Sequence, residues 1–426
     1  MNLKHFKKID SEIGKLIQKE EQRRKETIQL IAAENICKNE VLYPLSSILV
    51  SKTAEGVPGN RYHSGCSIID KVETISQQRA ELLFKCKKAW VQPLSGSIAN
   101  ISTLLSIFKS LNKKPEDIKI LSMALNHGGH LSHGSSMHIS HILCPNVKNY
   151  GVSKENGLID YDSLKTLIVE FKPDIIITGA SSYPRVIEFS TFFEHSKNIN
   201  AIIVADISHI FGLVAAGLHN SPIPYCHFAT ASTYKAGGPK GGIILAGDLS
   251  TDEQCNNISN SIFPGTQSTP DFSSIASKAV FFKECLSVEF VNTQKQIIEN
   301  SKIIANTLIS LGVFVITNGT DNHLVLIDSK KSYGLTGKEL SEKLEICGIN
   351  VNKNLLPYDD EKPSVTSGIR IGTNTISRLG FVKDDIEKIA FLIDIIAKTN
   401  LNKLFIKETR NAIKKLMSKY SYEKFI

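Results

Sequence analysis

The sequence predicts an α/β protein with a mostly parallel central sheet, helices on both faces, and a smaller C-terminal α+β domain. Apolar runs of strand length, IKILSMA, DIIIT, AIIVA and GGIILAG, alternate with loops and helical stretches. That rhythm builds parallel sheets with helical crossovers. A helix over Asp271 to Val291 is expected to bridge to a second unit, and 426 residues leave room for two cores. The expected division is an N-terminal helical arm over 1–50, a large domain over 51–285 and a small domain over 286–426.

Composition narrows the function classes. The chain is 42% hydrophobic and 22% charged, as ordinary globular proteins are. No apolar run approaches the roughly 18 residues of a membrane span, and the first segment has no signal-peptide core, so a cytoplasmic protein is expected. Eight scattered cysteines suit reduced packing residues rather than a disulfide framework. The net charge of +8 is dispersed, which suits an anionic cofactor or substrate as well as nucleic acid.

Asp10 or Ser11 can cap a first helix carrying Ile13, Leu16 and Ile17, and a second apolar group, Ile28, Leu30 and Ile31, extends it to AAEN. TAEGVPGNRYHSGC is a loop of site composition, with Glu55, Tyr62 and His63. In QPLSGSIAN, Ser95, Gly96 and Ser97 open a helix whose free amides, with two hydroxyls and a glycine, suit a phosphate. NHGGHLSHG brings His127, His130 and His133 close in sequence. No metal is expected there, because two glycines break any helix that would align the rings and no acid lies nearby in the chain.

Asp206 ends the buried run AIIVA, and Ser181, His130, His209 and Lys235 fall at comparable strand ends. Lys235 lies in CHFATASTYKAGGPKGGIILAG, before a Gly-Gly-Pro turn. A lysine facing inward there is partly desolvated, which favours the neutral amine that attacks carbonyls. In the second unit, Arg370 follows a Ser-Gly turn that can aim its planar fork at a carboxylate. The last 25 or so residues read as a Lys-rich surface helix. A lysine for an aldehyde, a phosphate nest, an acid for a ring nitrogen and a flat ring to stack together suit pyridoxal 5′-phosphate.

In this order, LIAAEN, AEGVPGNRYHSGC, QPLSGSIAN, HGGHLSHG, GASSYPR, DISHIFGLVAAGLH, the Lys235 motif, FPGTQ and VNKNLLPYDDEKPSVTSGIRIGT resemble the serine hydroxymethyltransferase family over nearly the whole chain. The resemblance implies the aminotransferase-like fold type I of pyridoxal enzymes. It also implies a homodimer with shared sites, with pairing of dimers into tetramers left open.

By the same resemblance, Lys235 carries the cofactor, Asp206 pairs with its ring nitrogen, His130 stacks on the ring, and His209 and Ser181 lie near its phenolic oxygen. Ser95, Gly96 and Ser97 hold the phosphate, joined by Gly265 from the partner subunit. Arg370 clamps the substrate carboxylate, Glu55 transfers a proton with Tyr62 beside it, and His63, Leu125 and Asn354 line the substrate and folate side. The implied reaction is retro-aldol cleavage or formation of a β-hydroxy amino acid through a glycine quinonoid, with tetrahydrofolate as co-substrate and serine, threonine or glycine as substrate.

Several positions depart from the family pattern. Ala33 replaces a serine, Thr53 a tyrosine, His63 the second of a tyrosine pair, and Tyr234 the histidine before the lysine. Ser268 and Thr269 replace glycines, and Ser364 stands where an aromatic residue often closes on folate. These changes keep open a folate-independent threonine transaldolase or aldolase. A third reading is a catalytically inactive, basic RNA-binding protein; nucleic acid is the less expected partner, because the cofactor residues are all present.

Overall fold

The computed structural model describes residues 7–423 and 425. The first six residues of the expected arm, and Lys424 and Ile426 of the C-terminal segment, lie outside the described residues.

Helix α1 (Ser11–Glu26) starts on Asp10, whose side chain accepts from the Glu12 and Ile13 amides. It stops at Thr27, and Ile28 to Ile31 do not continue it. Instead β1 (Ile28–Gln29) pairs in parallel with a strand from the far end of the chain. Ile28 and Leu30 alternate, and both are fully buried in the C-terminal core, so the two-residue period of a strand prevails over the helical reading. A hairpin, β2 (Gly56–Val57) and β3 (Asn60–Arg61), leads into α2 (Ser67–Phe84) and β4 (Ala89–Trp90).

Then follow α3 (Gly96–Leu111), β5 (Ile120–Met123), β6 (Val147–Tyr150), α4 (Tyr161–Phe171), β7 (Ile175–Thr178), α5 (Phe189–Ser196), β8 (Ile202–Asp206), β9 (Phe228–Ser232), β10 (Gly242–Ala246) and α6 (Asp252–Ile262). The seven strands β4 to β10 form one sheet in the order β4-β10-β9-β8-β7-β5-β6. Only β10 runs against the others. Side chains alternate between two cores. Ile203 and Ala205 of β8 face the core built with α2, α4 and α5, whereas Ile202 and Val204 face the core built with α3 and α6. Fully burying each such aliphatic side chain contributes about 1.5–3 kcal/mol.

The helix expected over Asp271 to Val291 is two helices. The first, α7 (Phe272–Cys285), packs on α2, and α8 (Val288–Ser310) begins anew because the Ser287 side chain accepts from the Phe290 amide at 3.1 Å. Beyond them lie β11 (Leu324–Asp328), α9 (Gly337–Cys347), β12 (Ile349–Asn350), β13 (Asn352–Asn354), β14 (Gly368–Gly372), α10 (Lys383–Lys398) and α11 (Lys403–Met417). Strand β12 is the partner of β1, and β11, β14 and β13 form an antiparallel sheet. The segment from Ile28 to Ile36 therefore shares the core of the C-terminal unit rather than projecting from it.

Candidate active site

The carboxyl ends of the parallel strands gather the expected residues along one edge. Ser95 follows β4, His130 follows β5, Ser181 follows β7, Asp206 ends β8, and Lys235 follows β9.

Lys235 is 7% exposed. Burial pulls its amine down to about 8, against the pull of the Asp206 carboxylate and with help from the Arg370 charge. Its carbonyl accepts from Asn35 Nδ2 and Asn374 Nδ2, each at 3.3 Å, so the C-terminal unit and the 28–36 segment grip the lysine turn.

Asp206 is buried and its oxygens are occupied. Oδ2 accepts from His133 Nε2 at 2.9 Å and Asn100 Nδ2 at 2.8 Å, and Oδ1 accepts from the Ser208 amide at 2.9 Å. Burial alone would push the carboxyl up, but the His133 hydrogen bond, with the His133 and His130 rings beside it and the Ser208 bond, holds it well below the usual carboxylate range. Asn100 also bonds Ser132 Oγ at 2.8 Å, and Ser132 Oγ lies 2.7 Å from His130 Nδ1. Burial lowers His130 to about 4, so its ring is neutral at pH 7. The ligand atoms of His130, His133 and Asp206 lie within 4.8 Å of one another. The acid that the His-rich loop lacks in sequence is thus supplied by β8, and hydrogen bonds already link the three side chains.

His209 stacks on His323, with ring centroids 5.6 Å apart and planes at 14°. Burial holds His209 well below its ordinary value and takes His323 to about 3, so both rings are neutral. Arg370, in the middle of β14, donates from Nη1 to the Ser181 carbonyl at 2.7 Å and from Nη2 to Asn352 Oδ1 at 3.3 Å. Its Nε is buried without a partner among the described residues. Burial lowers the guanidinium only to about 10, which leaves a cation with unspent donor capacity.

At the start of α3, Ser95 accepts from the Ile98 amide at 3.2 Å. Ser232 Oγ, beside Gly96, is buried with no hydrogen-bond partner among the described residues. Asn354 Nδ2 reaches Ser182 Oγ at 3.3 Å, and Leu125 opens the short turn before His130.

Glu55, Tyr62 and His63 form a second group. The Glu55 amide donates to His63 Nδ1 at 3.3 Å, and Tyr62, 78% exposed, lies 5.5 Å from the Phe263 ring. The loop carrying Gly265 joins this group, since Thr269 Oγ1 accepts from the Ala54 amide at 2.9 Å. Sequence reasoning missed Asn100, Ser232 and His323, and weighed His133 only as a metal ligand. Asn100 carried one signal: four residues after Gly96, it repeats on the same helix face.

This chain matches the serine hydroxymethyltransferase family over residues 6–393 of its 426. It belongs to that family. Serine hydroxymethyltransferases are fold type I pyridoxal phosphate enzymes, and the mostly parallel seven-stranded sheet has that architecture. The donor set fits the cofactor. A buried amine of lowered pKa can meet an aldehyde, a hydrogen-bonded carboxylate can meet a ring N–H, and an unpartnered hydroxyl beside a helix N-terminus can meet a phosphate. Among the described residues, no helix is long and apolar enough to cross a membrane.

Proposed function

We propose that the chain cleaves or forms β-hydroxy amino acids by a retro-aldol step, transferring the serine side-chain carbon to tetrahydrofolate and leaving glycine. One observation carries this reading: a buried lysine of lowered pKa feels both the Asp206 carboxylate and the Arg370 cation. Pyridoxal phosphate, when bound, supplies the electron sink for the carbon whose bond breaks.

The protein's own groups do the rest. Lys235 would hold the cofactor aldehyde through its neutral amine. Asp206, held ionised by His133 and Asn100, would pair with the ring nitrogen and favour its protonated form. Neutral His130 would hold the ring, with His209 and Ser181 on the side of its phenolic oxygen. Ser95, Gly96, Ser97 and Ser232 bind the phosphate. Arg370 fixes the substrate carboxylate, which orients the bond to be broken. Glu55 and Tyr62, with His63 and Gly265, are presented outward from this subunit, and they complete the site of a homodimeric partner, where Glu55 moves the hydroxyl proton. Leu125 and Asn354 line the folate side.

The substitutions around that side favour a second reading, a folate-independent threonine aldolase or transaldolase. Ser364 is exposed and gives only its backbone carbonyl, to Lys353 Nζ at 2.8 Å, where an aromatic ring would cover folate. Purified enzyme given serine with and without tetrahydrofolate decides between the two. Glycine formation that requires folate supports the first, whereas folate-independent release of acetaldehyde from threonine supports the second. Borohydride reduction of the cofactor-loaded protein is expected to fix the cofactor to the peptide carrying Lys235. Labelling elsewhere, or none, would overturn both.

A further inference from the structure

Lys278 is the one lysine of α7 that points into the protein core, and nothing above uses it. It is 1% exposed, and its Nζ donates to three backbone carbonyls: Val91 at 2.6 Å, Gly242 at 3.0 Å and Pro93 at 3.1 Å. Three acceptors match the three N–H groups of an ammonium, so the charge is fully hydrogen-bonded. Burial draws the amine down to about 7, while the Asp271 and Glu73 carboxylates oppose that draw. Glu73 is itself bound by Arg61 Nη2 at 2.6 Å and Gln92 Nε2 at 2.8 Å, and Asp271 caps α7.

The three carbonyls belong to two different segments. Val91 and Pro93 lead from β4 into Ser95, whereas Gly242 starts β10 directly after the turn that carries Lys235. The Gly242 amide also donates to the Pro93 carbonyl at 2.8 Å, and Ser274, one helical turn before Lys278, donates to the Lys240 carbonyl at 2.8 Å. One side chain therefore ties the approach to the phosphate cradle to the far side of the lysine turn. A cofactor held at its aldehyde by one segment and at its phosphate by the other needs those anchors at a fixed separation.

We propose that Lys278 is a positioning residue that sets the spacing between the Ser95–Ser97 cradle and the Lys235 turn. The inference rests on the proposed reading of those two segments as the cofactor's anchors.

Equilibrium dialysis with pyridoxal 5′-phosphate and with pyridoxal, which lacks the phosphate, tests it. Wild-type protein prefers the phosphorylated form. Lys278→Met keeps the length of the side chain and removes its donors. It is expected to weaken pyridoxal phosphate binding by about tenfold, as loss of charge-assisted hydrogen bonds does, while pyridoxal binding stays unchanged. A preference equal to wild type, whether both affinities hold or fall together, overturns the inference, because a merely structural lysine would move both alike. If Lys278→Met yields no folded protein, Gly241→Ala reads the same ratio: its methyl would occupy the place of Lys278 Cε and displace the amine without removing its charge. A wild-type protein with no preference for the phosphorylated form would instead sink the cradle reading itself.

Discussion

His133 Nε2 donates to Asp206 Oδ2 at 2.9 Å, and neither side chain is open to solvent. The bond requires the proton on Nε2, and His133 Nδ1 is left buried without a partner among the described residues. His133 is thus the largest opponent of the burial penalty on Asp206, the acid proposed to meet the cofactor's ring nitrogen.

His133→Ala should destabilise the protein by about 1–3 kcal/mol at pH 7, the cost of leaving a buried acceptor short of a donor. The pH dependence follows from the lowered pKa of Asp206. A depressed carboxyl contributes stability above its unfolded value of 3.8 and loses it as pH falls through the folded value. Without His133, burial dominates, the folded value rises, and acid unfolding begins at higher pH. Urea unfolding at pH 7 and circular dichroism through an acid titration measure both effects. Unchanged acid stability would show that Asn100 and Ser208 hold the carboxylate alone.

Lys235 acts in the same direction at higher pH. Its amine is lowered from 10.5 to about 8, so between those values the folded apoprotein binds fewer protons than the unfolded chain. Stability gained from this group therefore rises with pH across that window. The rate at which free enzyme captures pyridoxal phosphate should rise through about pH 8 as the neutral amine forms. Asp206→Asn removes the charge that opposes the lowering, so the midpoint should move to lower pH. A stopped-flow pH profile of both proteins reads the shift, and a midpoint near 10 would contradict the buried amine.

The reach of sequence reasoning follows from how each feature is encoded. The strand ends were legible because AIIVA and IKILSMA are too apolar to be anything but buried, and loops at their carboxyl ends share an edge by topology alone. Asp206 and Lys235 are read that way, whereas Ser95 is read from the Ser-Gly-Ser at a helix start. The strand at Ile28 was not, because its partner, Ile349, is far along the chain and no local signal announces the pairing. Leu286 closes one helix and the Ser287 cap opens the next, a competition that apolar periodicity does not register. The network from Thr230 through Asn100 to Asp206 and His133 draws on four segments, each unremarkable by itself. His133 was read with its neighbours in sequence when its partner in space was the acid of β8.

Arg370 offers a test of substrate orientation. Arg370→Ala should raise KM for the amino acid by about 10- to 150-fold, the range expected on losing a charge-assisted bond. kcat should fall less if the clamp binds ground state and transition state alike. Arg370→Lys should recover little, because a point charge cannot reproduce the fork that spans the Ser181 carbonyl, Asn352 and an incoming carboxylate. Steady-state kinetics on both variants decide it, and an unchanged KM would remove Arg370 from the substrate site.

Arg61 and Glu73 link the outward-facing loop to the cradle. Arg61 Nη2 lies 2.6 Å from Glu73 Oε2, Nε lies 2.8 Å from Asp70 Oδ1, and Nη1 donates to the Gly56 carbonyl at 2.6 Å. Gln92 Nε2 meets the same carbonyl at 2.9 Å and Glu73 Oε1 at 2.8 Å. Burial raises the Glu73 carboxyl even against the Arg61 charge, so the pair resists a large desolvation penalty. Arg61→Met leaves Glu73 buried and uncompensated, and should cost about 3–5 kcal/mol. The double variant Arg61→Met, Glu73→Leu removes both charges and should recover most of that loss. Because Arg61 also grips Gly56, next to Glu55, both variants should loosen the hairpin, and its amides should exchange faster with solvent than in wild type. Recovered stability with a loosened hairpin would separate the two roles of Arg61. A single variant as stable as wild type would mean that the guanidinium does not hold the buried acid.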